Sequence, residues 1–279
     1  MHLTVLGSGS GGNSALISEG GTRVLVDAGL SAGQLQARLQ SIGVEPSSLT
    51  AILLTHEHGD HVRGVEVLTR KFSIPIYCTA QTRQVVREGF KPAHECAWKI
   101  IQAGQTFALQ DWSITCFPVP HDAVDPLGFV ICSGGRRLGF LSDLGHVTRA
   151  IREQLQGLHT LFVEANYDGT LLQNDRKRPF STKQRISSQH GHLSNEQTAQ
   201  LIADIAHADL ERIVLGHLSS DCNEPALITA LVQSRLTAQG FPHLEIHCAH
   251  QDRPTVRFPV CQHLPKVPPA GPLMQAELF

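Results

Sequence analysis

The chain has 279 residues, of which 41% are hydrophobic and 17% charged, so it is long enough to bury a full core in one large domain. Its formal net charge of −2 and pI of about 6.8 exclude nucleic-acid binding through an overall basic surface, so any such contact must come from a local patch. Sixteen histidines, against two tyrosines and two tryptophans, suggest a metal site because imidazole is the commonest metal ligand.

The cysteines and the N-terminus indicate a cytoplasmic protein. The seven cysteines are scattered, odd in number and never spaced as Cys-x-x-Cys, which predicts thiols in a reducing compartment. The N-terminus, Met1-His-Leu-Thr-Val-Leu6, lacks the regions of a signal peptide. No stretch approaches the roughly eighteen apolar residues that a membrane span needs.

Short apolar strands alternate with turns and helices along most of the chain. In the first half, the pattern predicts helices at about 32–41 and 62–71, and strands at 3–6, 15–17, 23–26, 51–54, 76–78, 106–109, 112–117, 129–132 and 137–141. In the second half it predicts strands at 160–164, 212–215 and 245–248, and helices at 195–207 and 225–239. Two β-rich halves, each with its own helices, predict an α/β protein with two sheets packed face to face and helices outside. From about residue 260 the chain becomes proline-rich, so we predict one domain over 1–259 and a flexible tail over 260–279.

One segment, Thr55-His-Glu-His-Gly-Asp-His61, holds four potential metal ligands directly after the predicted strand at 51–54. His56 and His58 lie two residues apart on extended backbone and can point toward one ion. Asp60 and His61 follow where the chain turns into the next helix, and they can face a second ion. Imidazole nitrogen together with carboxylate oxygen suits zinc, manganese or iron.

This His-x-His-x-Asp-His pattern is the signature of the metallo-β-lactamase superfamily, and four further positions resemble its remaining motifs in order. Asp27, in Val26-Asp-Ala-Gly29, resembles the carboxylate that orients the histidine segment. His121 resembles the third ligand of the first ion, Asp143 the carboxylate that bridges both ions, and His217 the last ligand of the second ion.

The resemblance implies a four-layer αββα sandwich of two mixed sheets that binds two divalent metal ions. These ions would be Mn²⁺ or Zn²⁺, with iron as a further candidate. The expected ligands form two groups that share Asp143: His56, His58 and His121 on one ion, and Asp60, His61 and His217 on the other. Two such ions about 4 Å apart lower the pKa of a bound water and neutralise charge on the attacked centre. Asp60 is therefore expected to be catalytic as well as a ligand.

Within the superfamily, the chain looks like the YycJ (WalJ) family over about residues 1–250. The segments that carry this likeness are Val5-Leu-Gly-Ser-Gly-Ser-Gly-Gly-Asn-Ser14, Asp27-Ala-Gly-Leu-Ser31, His56-Glu-His-Gly-Asp-His61, Val163-Glu-Ala-Asn-Tyr-Asp168 and His190-Gly-His-Leu-Ser-Asn-Glu196. Members of that family are implicated in DNA metabolism as 5′→3′ exonucleases. The resemblance thus implies a phosphodiesterase that acts on DNA in replication or repair, with RNA left open.

A phosphate contact is predicted around residue 192. Ser194-Asn-Glu-Gln197 is a capping box whose helix N-terminus would present backbone N–H groups, so we expect Ser194 and Asn195 to contact the substrate. His192 lies just before this helix, where it can contact a phosphate or protonate a leaving oxygen. Related processing nucleases use a comparable histidine, and Glu164 resembles the carboxylate that holds it. An ordinary helix cap and a solvated histidine remain the alternative.

The segment Asn174-Asp-Arg-Lys-Arg-Pro-Phe-Ser-Thr-Lys-Gln-Arg185 carries five basic residues against one acidic residue. It is the best candidate for a patch that follows a nucleic-acid backbone, although a solvated charged face is the alternative. The residues concerned are Arg176, Lys177, Arg178, Lys183 and Arg185.

The chain ends in Gln275-Ala-Glu-Leu-Phe279, which resembles the peptide with which bacterial replication and repair proteins bind the sliding clamp. Leu278 and Phe279 would fill an apolar pocket while Gln275 supplies a directional hydrogen bond. An unstructured terminus is the alternative.

Two other functions stay open at this point. One is a hydrolase of a small molecule, such as a thioester, lactone or small phosphodiester, on the same fold. The other is a non-catalytic adaptor on a retired enzyme fold. The complete ligand set disfavours the adaptor, and the basic segment and the tail disfavour the small-molecule hydrolase.

Overall fold

The computed structural model describes residues 1–91 and 95–261, and the first half of the chain supplies six strands and four helices. The strands are β1 (His2–Gly7), β2 (Ser14–Glu19), β3 (Thr22–Val26), β4 (Ala51–Leu53), β5 (Ile76–Cys78) and β6 (Trp98–Ile100). The helices are α1 (Ala32–Ser41), α2 (Gly59–Val62), α3 (Val65–Phe72) and α4 (Ala80–Glu88), with a 3₁₀ turn at Pro46–Ser48.

The second half supplies the remaining elements. Its strands are β7 (Thr106–Leu109), β8 (Trp112–Pro118), β9 (Leu127–Ser133), β10 (Arg136–Leu141), β11 (Thr160–Glu164), β12 (Arg212–Gly216), β13 (Glu245–Cys248) and β14 (Phe258–Pro259). Its helices are α5 (Arg149–Gln154), α6 (Gly169–Asn174), α7 (Phe180–Ile186), α8 (Asn195–Ile205) and α9 (Pro225–Ala238).

Both sheets are mixed and have seven strands. The first has the order β14-β1-β2-β3-β4-β5-β6, antiparallel as far as β3 and parallel beyond it. The second has the order β13-β12-β11-β10-β9-β8-β7, parallel from β13 to β10 and antiparallel beyond it. The parallel strands of a sheet end at one edge, so polar residues that follow them are brought together there.

Three apolar clusters separate four layers. One cluster, with Leu3, Phe129 and Val214, fills the space between the sheets. A second lies between the second sheet and α5, α8 and α9, and a third lies between the first sheet and α1, α3 and α4. Each fully buried large apolar side chain contributes about 1.5–3 kcal/mol. The predicted αββα sandwich is confirmed.

The helix predicted at 62–71 is divided in two. The chain bends at Gly64, whose N–H donates to the carbonyl oxygen of Ala28 at 2.8 Å. A Cβ atom at this position would lie only 2.6 Å from the carbonyl oxygen of Leu30, so a side chain would disturb this close contact. The short helix α2 therefore belongs to the metal-ligand segment, and the amphipathic helix α3 begins only at Val65.

The packed domain extends past the predicted boundary at residue 259. Val260 is fully buried in the cluster between the sheets, its N–H donates to Met1, and its carbonyl oxygen accepts from Thr160. The predicted partner-binding residues Gln275, Leu278 and Phe279 lie outside the described residues. Among the helices of the described ranges, none is both long and apolar enough to cross a membrane.

Candidate metal centre

The seven residues predicted as metal ligands meet at the edge where the parallel strands end. Four groups have ligand atoms within 4.8 Å of one another, and three consist of these residues alone: His56 with His58 and His121, Asp60 with His61 and His217, and His56 with His61 and Asp143. The fourth joins Asp143 and His217 to Glu164 and His192. The histidine segment follows β4, and His121, Asp143 and His217 follow β8, β10 and β12 respectively. The fold thus assembles from distant segments a cluster that can hold cations.

Three of the five non-glycine residues with left-handed backbone conformations in the described ranges lie at the candidate centre. They are Asp27, Asp143 and His217, with φ angles of 59°, 51° and 52°. Non-glycine residues in this region cost about 1–3 kcal/mol each and persist where the surroundings hold them. Each of the three has its side chain engaged in the cluster. The unfavourable backbone is therefore concentrated at the candidate centre.

Asp27 holds the histidine segment. Its Oδ2 lies 2.7 Å from Nδ1 of His61 and accepts from the hydroxyl of Thr55 at 2.8 Å, while its Oδ1 accepts from the N–H of Thr55 at 2.8 Å. When Nδ1 of His61 donates to Asp27, the lone pair remains on Nε2, which faces the cluster.

Unpartnered nitrogen atoms show that the residues fit metal ions. Nε2 of His56 and Nε2 of His217 are buried and lack a hydrogen-bond partner within the described residues. His121 uses Nδ1 on the carbonyl oxygen of Gly191 at 3.0 Å, which leaves its Nε2 for the cluster. Buried polar atoms without a partner are rare, and imidazole with carboxylate is a donor set suited to divalent transition metals.

The charges of the cluster also favour cations. Burial alone would raise the pKa of Asp143, but His217 and His61 hold it well below its usual range. Burial alone would lower the pKa of His217, but the nearby carboxylates of Asp143, Asp60 and Glu164 raise it to about 10. Buried carboxylates thus attract positive charge, and metal ions that displace the histidine protons would satisfy the same field.

His192 and Glu164 form a hydrogen-bonded pair beside the cluster. Nδ1 of His192 lies 3.0 Å from Oε2 of Glu164. The other oxygen of this fully buried carboxylate accepts from the backbone N–H groups of Leu144, at 2.7 Å, and Leu193, at 3.0 Å. Burial alone would lower the pKa of His192, but the Glu164 carboxylate raises it. Glu164 therefore fixes the ring of His192, which lines the cleft.

A cleft of about 260 Å³ opens over the cluster, and two of the five predicted basic residues reach it. Arg178 and Arg185 line the cleft together with Thr182 and Ile186. Arg185 donates to Asp122 at 2.5 Å, and Arg178 pairs with Asp175 and Asp221 at 2.8 and 3.0 Å. One wall of the cleft therefore carries two guanidinium groups, which carboxylates hold in place.

The other three basic residues lie outside the lining. Lys177 pairs with Asp221 at 2.5 Å, and Lys183 donates to the carbonyl oxygen of Gln173 at 2.9 Å. Arg176 is exposed.

The structure places Ser194 and Asn195 at the start of α8, outside the residues that line the cleft. The hydroxyl of Ser194 accepts from the N–H of Gln197, and the N–H of Asn195 donates to Tyr167. The buried side chain of Asn195 exchanges two hydrogen bonds with Asn223. This helix N-terminus is therefore a structural cap.

Sequence reasoning missed several polar residues of the site. Asn13 lies beside Asp60 and His61, and Asn166 donates to the backbone of His217 at 3.0 Å. Asp122 reaches within 3.3 Å of Nε2 of His121. Each of the three follows or precedes a strand end at the same edge, which is the only signal that the sequence offers for them.

Comparison with known proteins identifies the family of this chain and agrees with the fold described above. Residues 22–218 match the family model of the β-lactamase superfamily domain. The chain is 32% identical over 258 residues to exodeoxyribonuclease YycJ of Bacillus anthracis, which covers 91% of this chain and 97% of that protein. It is 34% identical over 222 residues to exodeoxyribonuclease WalJ of Streptococcus pneumoniae, which covers 79% of this chain and 82% of that protein. The crystal structure of Zn²⁺-bound PqqB from Methylobacterium extorquens has a TM-score of 0.68 at 20% identity, over 91% of this chain and 99% of that one.

Proposed function

Because the chain belongs to the metallo-β-lactamase superfamily and, within it, to the family of the exodeoxyribonucleases YycJ and WalJ, we propose that it is a metal-dependent 5′→3′ DNA exonuclease. One observation carries the proposal: a complete set of seven candidate ligands meets under a cleft whose other wall carries two arginines. A cluster of histidines and aspartates that can hold cations and a wall that carries two guanidinium groups together suit a phosphodiester substrate.

The metal ions would be held by two ligand sets that share Asp143. His56, His58 and His121 would hold one ion, and Asp60, His61 and His217 the other, with Mn²⁺, Zn²⁺ or iron as candidates. When bound, two such ions supply a water nucleophile of lowered pKa and offset the charge that develops on phosphorus.

The protein's own groups would orient the substrate and supply a proton. Asp27 keeps the lone pair of His61 directed toward the cluster. Glu164 holds the ring of His192, and a protonated His192 at the cleft is suited to donate a proton to the leaving oxygen. Arg178 and Arg185 would bind phosphates in the cleft, and Arg176, Lys177 and Lys183 would contact the strand beyond it.

The test is digestion of linear duplex and single-stranded DNA labelled at either the 5′ or the 3′ end. The proposal predicts that the 5′ label is released first, as mononucleotides, and that a chelator stops the reaction. Release of the 3′ label first would contradict the polarity. Intact DNA under conditions where the protein retains its metal would contradict the nuclease, and cleavage of thioesters or lactones by that protein would support the small-molecule alternative.

We also propose that residues 275–279 bind the bacterial sliding clamp. The support is the peptide itself, with Gln275, Leu278 and Phe279 at the spacing of clamp-binding peptides after a proline-rich stretch. Deletion of residues 275–279 is expected to abolish clamp binding and leave digestion of free DNA unchanged. Clamp binding by the truncated chain would contradict the proposal. An enzyme of DNA replication or repair in bacteria would act in the cytoplasm, which agrees with the scattered cysteines.

A further inference from the structure

The glycine-rich turn between β1 and β2 packs against the candidate metal centre, and the proposed mechanism gives it no role. It brings two buried polar residues, Ser8 and Asn13, to the side of the cluster. The segment after β3 contacts both the turn and the ligand segment: the N–H of Gly29 donates to the carbonyl oxygen of Asn13 at 2.8 Å, and a Cβ atom on Gly29 would lie 1.6 Å from the carbonyl oxygen of Asp60. Only glycine permits this close approach of residue 29 to the ligand segment.

Backbone donors fix the orientation of the Asn13 side chain. Its Oδ1 accepts from the N–H of Gly9 at 2.8 Å. The hydroxyl of Ser8 accepts from the N–H of His217 at 2.7 Å, so its own proton is free to be donated to Oδ1 of Asn13 at 3.3 Å. Because Oδ1 of Asn13 accepts from Ser8 and Gly9, the Nδ2 group on the opposite side of the amide points toward the cluster.

The Nδ2 group of Asn13 meets one of the two ligand sets. It lies 3.3 Å from Oδ2 of Asp60, 3.5 Å from the carbonyl oxygen of Asp60 and 3.1 Å from Nε2 of His61. The N–H of Asn13 also donates to that carbonyl oxygen at 2.8 Å. Through Ser8 the same residue is linked to the backbone of His217. Asp60 and the backbone of His217 are therefore held by this turn, whereas His61 is oriented by Asp27.

We propose that Asn13 is a positioning residue for the metal ion held by Asp60, His61 and His217. Its amide donates to Oδ2 of Asp60 and so holds the carboxylate in one orientation, while Ser8 couples that amide to the backbone of His217. Groups that orient metal ligands in this way typically change metal affinity by about 10–100-fold when they are removed. The inference rests on the proposed metal centre but not on DNA as the substrate.

The test counts metal ions rather than nuclease activity. Metal-loaded protein is equilibrated with increasing concentrations of a chelator, and the retained metal is measured by mass spectrometry. In Asn13→Ala, one ion is expected to be lost at a chelator strength about 10–100-fold lower than in the wild type, and the other ion at an unchanged strength. Ser8→Ala is expected to weaken retention of the same ion, because it removes both the acceptor of the His217 N–H and a donor to Oδ1 of Asn13.

A matched control separates positioning from general order of the turn. Gln251 braces the same turn by accepting from the N–H of Gly11 at 2.7 Å and donating to the carbonyl oxygen of Gly12 at 2.9 Å. The part of the chain that the structure describes shows no hydrogen bond from Gln251 to the ligand sets, so Gln251→Ala is expected to retain both ions as the wild type does. If Asn13→Ala and Gln251→Ala weaken both ions alike, the role of Asn13 is merely structural.

The remaining outcomes of the chelator experiment also test the role of Asn13. If Asn13→Ala retains both ions as strongly as the wild type does, this inference is overturned, but the proposed metal centre is not. A wild-type protein that holds no metal would overturn the proposed centre and this inference with it. Should Asn13→Ala not fold, selective loss of one ion in Ser8→Ala supports the inference, and unchanged retention in Ser8→Ala overturns it.

Discussion

At the residue scale, the proton donor proposed for catalysis depends on one buried carboxylate. One carboxylate oxygen of Glu164 accepts hydrogen bonds from two backbone N–H groups, and the other oxygen is bonded to Nδ1 of His192. A carboxylate that is fixed in this way cannot turn away from the ring. The tautomer and orientation of His192 are therefore set before any substrate arrives.

Replacement of His192 by alanine is expected to lower kcat by about 10²–10⁴-fold, the range typical of a lost general acid. The number of bound metal ions should not change. The defect should be much smaller for a phosphodiester whose leaving group is a nitrophenolate, because such a group departs without a proton. His190→Ala is the matched control, since His190 is an exposed neighbour outside the cleft lining, and it should retain wild-type activity. An equal defect on both substrates would contradict acid catalysis by His192.

Two cysteines give a second prediction at this scale. Cys78 and Cys116 are fully buried, and burial raises the pKa of each thiol to about 12. At pH 8 both stay protonated and shielded, so iodoacetamide should leave them unmodified in the native protein and modify them after unfolding. Mass spectrometry of peptides checks this, and rapid labelling of either thiol in the native state would contradict the packing of the core around it.

At the element scale, α7 shows how part of the basic segment reaches the cleft. Thr182, Arg185 and Ile186 lie on one face of this helix and line the cleft, although none of its residues is buried. A helix without a buried face has no apolar periodicity, so the sequence pattern predicted no helix in this region. The charges were recognisable from the sequence, but the helix was not.

Replacing Arg178 and Arg185 together by glutamine is expected to weaken binding of single-stranded DNA. The slope of log affinity against log salt should fall by about 1–1.5, because each phosphate contact to a single strand contributes about 0.7. Arg149 and Arg152 of α5 lie outside the cleft lining, and the same double replacement there is the control. Binding is measured at several salt concentrations by fluorescence anisotropy. Equal slopes for the two double variants would show that the arginines of the cleft do not bind phosphates.

The pairing of β12 with β13 is stabilised by the buried side chain of Arg212. The side chain of Arg212 is only 2% exposed, donates to Glu245 at 2.6 and 2.8 Å, and also donates to the carbonyl oxygen of Pro259. Burial alone would raise the pKa of Glu245, but the hydrogen bonds from Arg212 and His247 lower it. A carboxylate with a lowered pKa stabilises the fold above its unfolded pKa of about 4.3, and this contribution is lost as the pH falls through the folded pKa.

Glu245→Gln is therefore expected to lower the free energy of unfolding at pH 7 by about 1–3 kcal/mol, because Arg212 loses its charged partner. The difference from the wild type should shrink as the pH is lowered below about 4. Glu153→Gln, which removes an exposed pair with Arg149, should cost at most about 1 kcal/mol. Urea unfolding at several pH values checks both. A constant difference at all pH values would contradict the assigned role of the Glu245 charge.

At the scale of the whole molecule, local sequence patterns predict the layers and the cluster of candidate ligands. They do not predict the residues that contact these ligands. Apolar runs of three to six residues, separated by turns, predicted twelve of the fourteen described strands, all but the edge strands β6 and β14, and the motif after β4 predicted where the candidate ligands meet. The capping box of α8 was also predicted, but the hydrogen bonds of Asn195 could not be, because its partners are Tyr167 and Asn223. The contact of Asn13 with Asp60 spans 47 residues, and no local pattern reports such a pairing.

The central claim is that this cluster binds the metal ions that cleave DNA. The most direct measurement removes metal from the full-length protein with a chelator, restores it in steps, and follows both bound metal and mononucleotides released from linear DNA. Release is expected to begin as metal binds and to reach its maximum when two ions per chain are bound, and a protein with both Asp60→Ala and His61→Ala is expected to release none. Full nuclease activity in the metal-free protein, or in that double variant, would show that these residues do not hold catalytic metal ions.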